Sequence, residues 1–153
     1  MGKKRYLALA AILLLVDQAT KWWVDKSLVF GQPNNLIGNV IRLTRVHNDG
    51  GAFGIFQGGG MVFLIVSAIV SSILLLILLT MTIDSRLIKT GMALVLAGAL
   101  GNLIDRIHWG YVLDFFEFRG FPIFNVADAC ISIGAVFIIL SILFGGERHR
   151  STR

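Results

Sequence analysis

Asp114 and Asp128 are carboxyl groups in surroundings where a carboxylate is expensive. Asp114 lies in Gly110-Tyr-Val-Leu-Asp-Phe-Phe, and Asp128 lies in Phe124-Asn-Val-Ala-Asp-Ala-Cys-Ile at the mouth of an apolar run that continues to Phe144. An ionisable group beside hydrocarbon marks a functional site by default. Two such carboxyls without a metal suit acid–base hydrolysis of an amide. One carboxylate draws a proton from water, while the other stays protonated and donates to the carbonyl oxygen. Like charges held close together between apolar walls split the titration of such a pair in the required way.

Further polar residues gather nearby. Asp17 and Lys21 are four apart, so they share one helix face and can pair, either as part of a site or as a snorkelling lysine with its counter-ion. Gly98, Gly101, Asn102, Asp105 and Arg106 crowd the end of one apolar stretch. Asn102 and Arg106 are again four apart, Asp105 can form an ion pair, and the glycines let another backbone approach closely. Asn125 and Asp128 also read as an ordinary helix start, an N-cap followed by an acid in the first turn. Convergence favours a site: these clusters and Asn48 all fall near one end of the apolar stretches or in the adjoining loops.

The elements that hold them are membrane spans. Of the 153 residues, 56% are hydrophobic and 15% charged, and the mean hydropathy is +0.78, which excludes an ordinary soluble domain. Four stretches approach the roughly 20 residues a spanning helix needs: 6–24, 61–83, 87–107 and 127–144. The expectation is an all-α membrane protein of one domain over residues 1–153, with four transmembrane helices. Loops of about 25–60 and 107–126 carry a small extracytoplasmic β-sheet. Its strands are read from the β-prone Asn39–Val46, with Val40, Arg42, Thr44 and Val46 on one face, pairing with Tyr111–Phe118.

Orientation follows from the cations. Lys3, Lys4 and Arg5, then Arg86 and Lys89, then Arg148, Arg150 and Arg153 fall on one side if the spans number four. The positive-inside rule makes that side, with both termini, cytoplasmic. The net charge of +5 is therefore topological and calls for no nucleic acid. The first span shows no small-residue cleavage site and is expected to stay in place, ending in Trp22-Trp23. Tyr6 stands where a myristoylation motif needs Ser or Thr.

Other chemistries find no carrier. His47, His108 and His149 lack metal-ligand spacing among themselves or with Cys130, which reads as a small hydrophobe. No GxSxG elbow, GxGxxG or P-loop is present.

At these residues a family resemblance becomes specific. Asp17-Gln-Ala-Thr-Lys21, Asn48-Asp-Gly-Gly-Ala-Phe-Gly54, Gly98-Ala-Leu-Gly-Asn-Leu-Ile-Asp-Arg106, Gly110-Tyr-Val-Leu-Asp-Phe115 and Phe124-Asn-Val-Ala-Asp128 resemble, in order, the motifs of bacterial lipoprotein signal peptidase (signal peptidase II), a membrane aspartic endopeptidase. The likeness covers nearly the whole chain. One departure is Gly51, where the family pattern commonly has Ala.

The resemblance implies that Asp114 and Asp128 are the catalytic pair. It also implies that Asp17, Lys21, Asn48, Gly98, Asn102, Arg106 and Asn125 are supporting or substrate-binding residues. The implied substrate is a prolipoprotein whose lipobox Cys carries diacylglycerol, cleaved just before that Cys at the outer face of the bacterial inner membrane. The implied partners are that substrate and the lipid bilayer, with no cofactor and no metal. A site complete within one chain favours a monomer. Phe53, Phe56, Phe115 and Phe116 are expected to cover acyl chains. The competing reading is a small proton or ion transporter subunit using Asp17, Asp105, Asp114 and Asp128 as a relay.

Overall fold

The computed structural model describes residues 2–50 and 59–145. Its elements are α1 (Lys3–Ser27), β1 (Pro33–Ile37), β2 (Ile41–Asn48), α2 (Gly60–Thr80), α3 (Arg86–Trp109), β3 (Val112–Phe118) and α4 (Val126–Gly145). All four helices are long and apolar enough to cross a membrane. The fold class read from the sequence is therefore the one observed. Each expected span matches a helix, with ends displaced by a few residues. The second helix stops at Thr80 rather than Ile83, because Met81 turns extended and Ser85 is already the N-cap of α3, its Oγ accepting from Ile88 N at 3.2 Å. The cationic tail at Arg148, Arg150 and Arg153, His149, and the expected lipid cover at Phe53 and Phe56 lie outside the described residues.

The bundle is built around α3. Half of its apolar window is buried, against 22%, 11% and 17% for α1, α2 and α4. Small residues make this possible, since Gly91, Ala93, Ala97, Gly98, Ala99 and Gly101 are all buried. A β-carbon on Gly91 would stand 2.6 Å from the carbonyl oxygen of Gly134 on α4, and one on Gly134 would stand 2.6 Å from that of Gly91. The two helices thus meet backbone to backbone through reciprocal glycines, as small-residue packing in lipid allows. Met92, Ala93, Leu96 and Ala97 join Tyr6 and Ala10 of α1 and Leu78 of α2 in one apolar core. The opposite faces of the helices carry the exposed apolar side chains, such as Leu15, Ile69, Ile139 and Leu143, that lipid would cover.

A three-stranded antiparallel sheet in the order β1-β2-β3 sits on one end of the bundle. It rests on a second apolar cluster of Val24, Leu43, Leu113 and Phe115. Arg45 Nη2 pairs with Asp25 Oδ1 at 2.5 Å, and Arg45 Nη1 donates to the Asp25 carbonyl, so the sheet is tied to the end of α1. Two of the three strands match the expected pairing; β1, in the turn-rich Pro33-Asn-Asn, escaped it. Pro33 is tolerated because β1 is an edge strand.

The alternation expected from Val40 to Val46 is broken. Between Leu43 and Val46 the β2/β3 register shifts by one residue, from Leu43 opposite Phe116 to Val46 opposite Asp114. The extra residue is a β-bulge, and a one-residue shift exchanges the two faces of a strand. It places Asn48, two positions beyond Val46, on the face of the sheet that carries Asp114.

The reciprocal glycine contact yields a prediction. Gly91→Val should lower stability by roughly 1–3 kcal/mol, the usual cost of overpacking. A fall in the thermal unfolding midpoint of the purified protein would show it. Gly2→Ala, where a β-carbon meets nothing within 4 Å, should leave the midpoint unchanged.

Candidate active site

The carboxyl pair is positioned by a helix cap. Asn125 precedes α4 and accepts from Asp128 N through its Oδ1 at 2.9 Å, while Asp128 Oδ2 accepts from Asn125 N at 3.2 Å. This is a capping box with Asn and Asp in place of the more usual Ser and Glu. The ordinary reading of these residues as a helix start is therefore correct, and it does not compete with a site. The same Asn125 turns its Nδ2 to Asp114 Oδ1 at 2.7 Å, so one fully buried residue links the two carboxyls, through its side chain to Asp114 and its backbone N–H to Asp128.

Each carboxyl has a second amide. Asn48 Nδ2 donates to Asp114 Oδ2 at 2.9 Å, and Asn102 Nδ2 donates to Asp128 Oδ1 at 2.8 Å. Asn48 in turn is held by Gly50 N, which donates to its Oδ1 at 3.0 Å. Asp114 is 1% exposed. Burial, and then the nearby charge of Asp128, push its carboxyl up to about 7, against the pull of the Asn48 and Asn125 hydrogen bonds. A carboxyl in this state keeps its proton near neutrality.

Behind the pair stands a buried ion cluster. Lys21 Nζ lies 2.9 Å from Asp17 Oδ2 and 2.8 Å from Asp105 Oδ2, and all three side chains are at most 1% exposed. Lys21 also donates to Asn102 Oδ1 at 3.1 Å. Each acid reaches a backbone amide next to one of the pair. Asp17 Oδ1 accepts from Ala127 N at 2.9 Å, and Asp105 Oδ2 accepts from Leu113 N at 3.2 Å. Gln18 Nε2 bridges the acids, lying 3.2 Å from Asp17 Oδ2 and 3.0 Å from Asp105 Oδ1. Gly101 makes room for all this, because a β-carbon there would collide with the Asp17 carboxylate. Gly98 does the same for α4, whose Ala127 carbonyl would meet its β-carbon.

Asp114, Asp128, Asn48, Asn102 and Arg106 line a groove of about 660 Å³ whose other walls include Phe63, Phe121, Phe124 and Ile131. Arg106 stacks over Phe63, with 5.4 Å from Cζ to the ring centroid, and donates to Asn102 O. Among the described residues it forms no ion pair with either carboxylate. His47, beside Asn48, stacks on Tyr111 at 3.8 Å, and burial and then the Arg45 charge lower its pKa. No group of three metal-ligating side chains occurs among the described residues.

All nine residues singled out from the sequence therefore converge at one end of the bundle. Two others were missed or undervalued. Gln18 carried no signal beyond its place next to Asp17, and Asp105 was noted only as able to pair. Phe115, expected against lipid, is 2% exposed and belongs to the core beneath the sheet. Phe121 and Phe124, from the loop after β3, line the groove instead.

The chain is similar to known proteins in both sequence and fold. The family model described as signal peptidase (SPase) II matches residues 9–144. Lipoprotein signal peptidases are similar over most of their length. That of Shouchella clausii is 40% identical, covering 94% of this chain and 97% of its own. That of Latilactobacillus sakei is 39% identical, covering 90% and 93%. The fold is similar to two solved bacterial membrane enzymes. One superposes with a TM-score of 0.90 at 28% identity over 98% of this chain and 94% of its own. The other gives 0.82 at 30% identity over 92% and 94%.

The buried ion cluster carries its own test. Lys21→Met would leave two buried carboxylates without a cation, a change that typically costs about 3–5 kcal/mol. Lys26→Ala, which removes a pair at 3.3 Å whose lysine is 63% exposed, should cost less than about 1 kcal/mol. Thermal unfolding of the two purified variants would separate these outcomes.

Proposed function

Since the chain belongs to the signal peptidase II family, we propose that Asp114 and Asp128 are the catalytic dyad of this aspartic endopeptidase. The protein is a multi-pass bacterial membrane enzyme that removes signal peptides from prolipoproteins. The finer reading is that the substrate is diacylglyceryl-modified and is cut just before the lipidated Cys. One observation carries it: two carboxyls bridged by Asn125 share an apolar groove at the end of the bundle. That is where a scissile bond held between a signal helix and a lipid anchor would lie.

The chemistry divides by protonation. Asp114 holds the shared proton, and Asp128 is the base. Asp128 takes a proton from water as the oxygen attacks the scissile carbonyl carbon, and Asp114 gives its proton to the carbonyl oxygen. The resulting gem-diol collapses when Asp114 recovers a proton from one hydroxyl and Asp128 donates to the leaving nitrogen. The C–N bond breaks, and both carboxyls return to their starting states. Asn48 and Asn102 orient the outer oxygens of the pair, and Asn125 keeps them in register. Arg106, mounted on Phe63, is placed to bind substrate carbonyls. Asp17, Lys21 and Gly98 support the pair from behind.

The single described domain, complete in its carboxyl pair, favours action as a monomer without nucleic acid or cofactor. The cation distribution favours cytoplasmic termini, with the groove at the outer face. A transporter relay would need acids at several depths. Among the described acids only Asp84 lies at the other end of the bundle, so nothing favours that alternative.

Two outcomes follow for cleavage of a diacylglyceryl-modified prolipoprotein reporter in membranes. Asp114→Asn and Asp128→Asn should each lose about 100- to 10,000-fold or more in rate at equal protein levels, with wild type indifferent to chelator. Full cleavage by either variant would overturn the dyad. The pH profile supplies the second. Asp114 must be protonated to act as acid, and its carboxyl stands near 7. The rate should therefore hold just below that pH and fall by about tenfold per unit above it. Because the Asn48 hydrogen bond lowers the Asp114 value, Asn48→Ala should move this limb to higher pH.

A further inference from the structure

At the end of the bundle away from the carboxyl pair, α1, α2 and α3 enclose a second, smaller cavity of about 200 Å³. Its walls include Lys3, Tyr6, Leu78, Met81, Ile83 and Lys89. Tyr6 is 4% exposed, and its hydroxyl, fully buried, has no hydrogen-bond partner among the described residues. A buried hydroxyl left unpaired is costly, so this one is a donor held ready at the cavity wall. Lys89 Nζ lies 5.4 Å from the centroid of the Tyr6 ring. Lys3 Nζ donates to Leu79 O, a free carbonyl at the end of α2, at 2.8 Å, which leaves two of its three N–H groups unused. Neither lysine forms an ion pair among the described residues, and Asp84, the acid in the same link, does not line the cavity.

We propose that this cavity binds the phosphate of an anionic phospholipid headgroup. Two ammonium groups supply donors only and the phenolic hydroxyl adds one more donor, the complement of a phosphate's acceptor oxygens. Beside Gly2 and Thr82, the remaining walls are the apolar Leu78, Met81 and Ile83, which suit glycerol and the start of acyl chains. The depth is also right: Lys3 opens α1, Met81 follows the end of α2, and Lys89 lies in the first turn of α3, so all three sit where spans leave hydrocarbon. Asp17 is 14 residues from Lys3 and Asp105 is 16 from Lys89, about 21–24 Å along the helices at 1.5 Å per residue. The cavity is therefore separate from the active site. An occupant would brace α1 against the α2–α3 link.

The test is thermal unfolding of the purified protein in neutral detergent. Its titrants are dihexanoyl phosphatidylglycerol, dihexanoyl phosphatidylcholine and inorganic phosphate. Phosphatidylglycerol should raise the midpoint saturably, and phosphatidylcholine should do so weakly, since its choline cation meets two lysines. In Lys3→Gln/Lys89→Gln the apparent affinity for phosphatidylglycerol should fall by about tenfold or more, and in Tyr6→Phe by about threefold. Lys89→Arg should retain binding, and with Tyr6→Phe it carries the comparison if the double variant does not fold. Cleavage activity should be unchanged in Tyr6→Phe. Saturable stabilisation by inorganic phosphate, lost in the same variants, would keep the site and identify a free anion as its ligand. An equal response to phosphatidylcholine, an equal response of variants and wild type, or no saturable shift would overturn the proposal.

Discussion

A charge buried in a helix bundle must be paired, and here that requirement organises the active end of the molecule. Lys21 satisfies Asp17 and Asp105 together, and each acid also accepts from a backbone amide of another element. Those amides belong to Ala127 and Leu113, the residues immediately before Asp128 and Asp114. The ion cluster thus fixes the backbone that carries the two groove carboxyls without touching the carboxyls themselves. In low dielectric such contacts are strong when complete and costly when broken, so the geometry is held to within narrow limits.

The carboxyl pair inherits its asymmetry from its mounting. Asp114 comes from a strand packed against the bundle and is almost sealed, whereas Asp128 occupies the first turn of α4 and is half-buried at the groove. Desolvation therefore falls most heavily on Asp114, which keeps a proton where a free carboxyl would lose it. Asn125 reconciles the two: as N-cap it belongs to the helix, and as amide donor it belongs to the strand carboxyl. Structural and functional readings of that residue describe the same hydrogen bonds.

Small residues play a matching part. Gly98 and Gly101 admit the start of α4 and the Asp17 carboxylate to the side of α3, where larger side chains would hold them off. The apolar core at the other end needs only bulk and close contact, and its glycine pair at Gly91 and Gly134 lets α3 and α4 run together along their length. One helix therefore serves as both spine and floor of the site.

The sequence by itself determined the four spans, their cationic ends, and the short-range partnerships: Asp17 with Lys21 at helical spacing, and Asn125 with Asp128 as a helix start. It also singled out Asp114 and Asp128, because a carboxylate amid apolar residues is conspicuous in any conformation. Only the tertiary structure decided how these pieces meet. The triple pairing of Lys21 joins residues more than eighty positions apart, and the bridge from Gln18 to Asp105 has no local signature. Strand β1 was hidden by turn-forming residues whose pairing is supplied by β2. The bulge that brings Asn48 to Asp114, and the turning of Phe115 into the core, depend on register across strands. Local spacing fixes which neighbours along one element can touch, whereas register and helix packing are settled by the joint burial of several elements, which no single segment encodes.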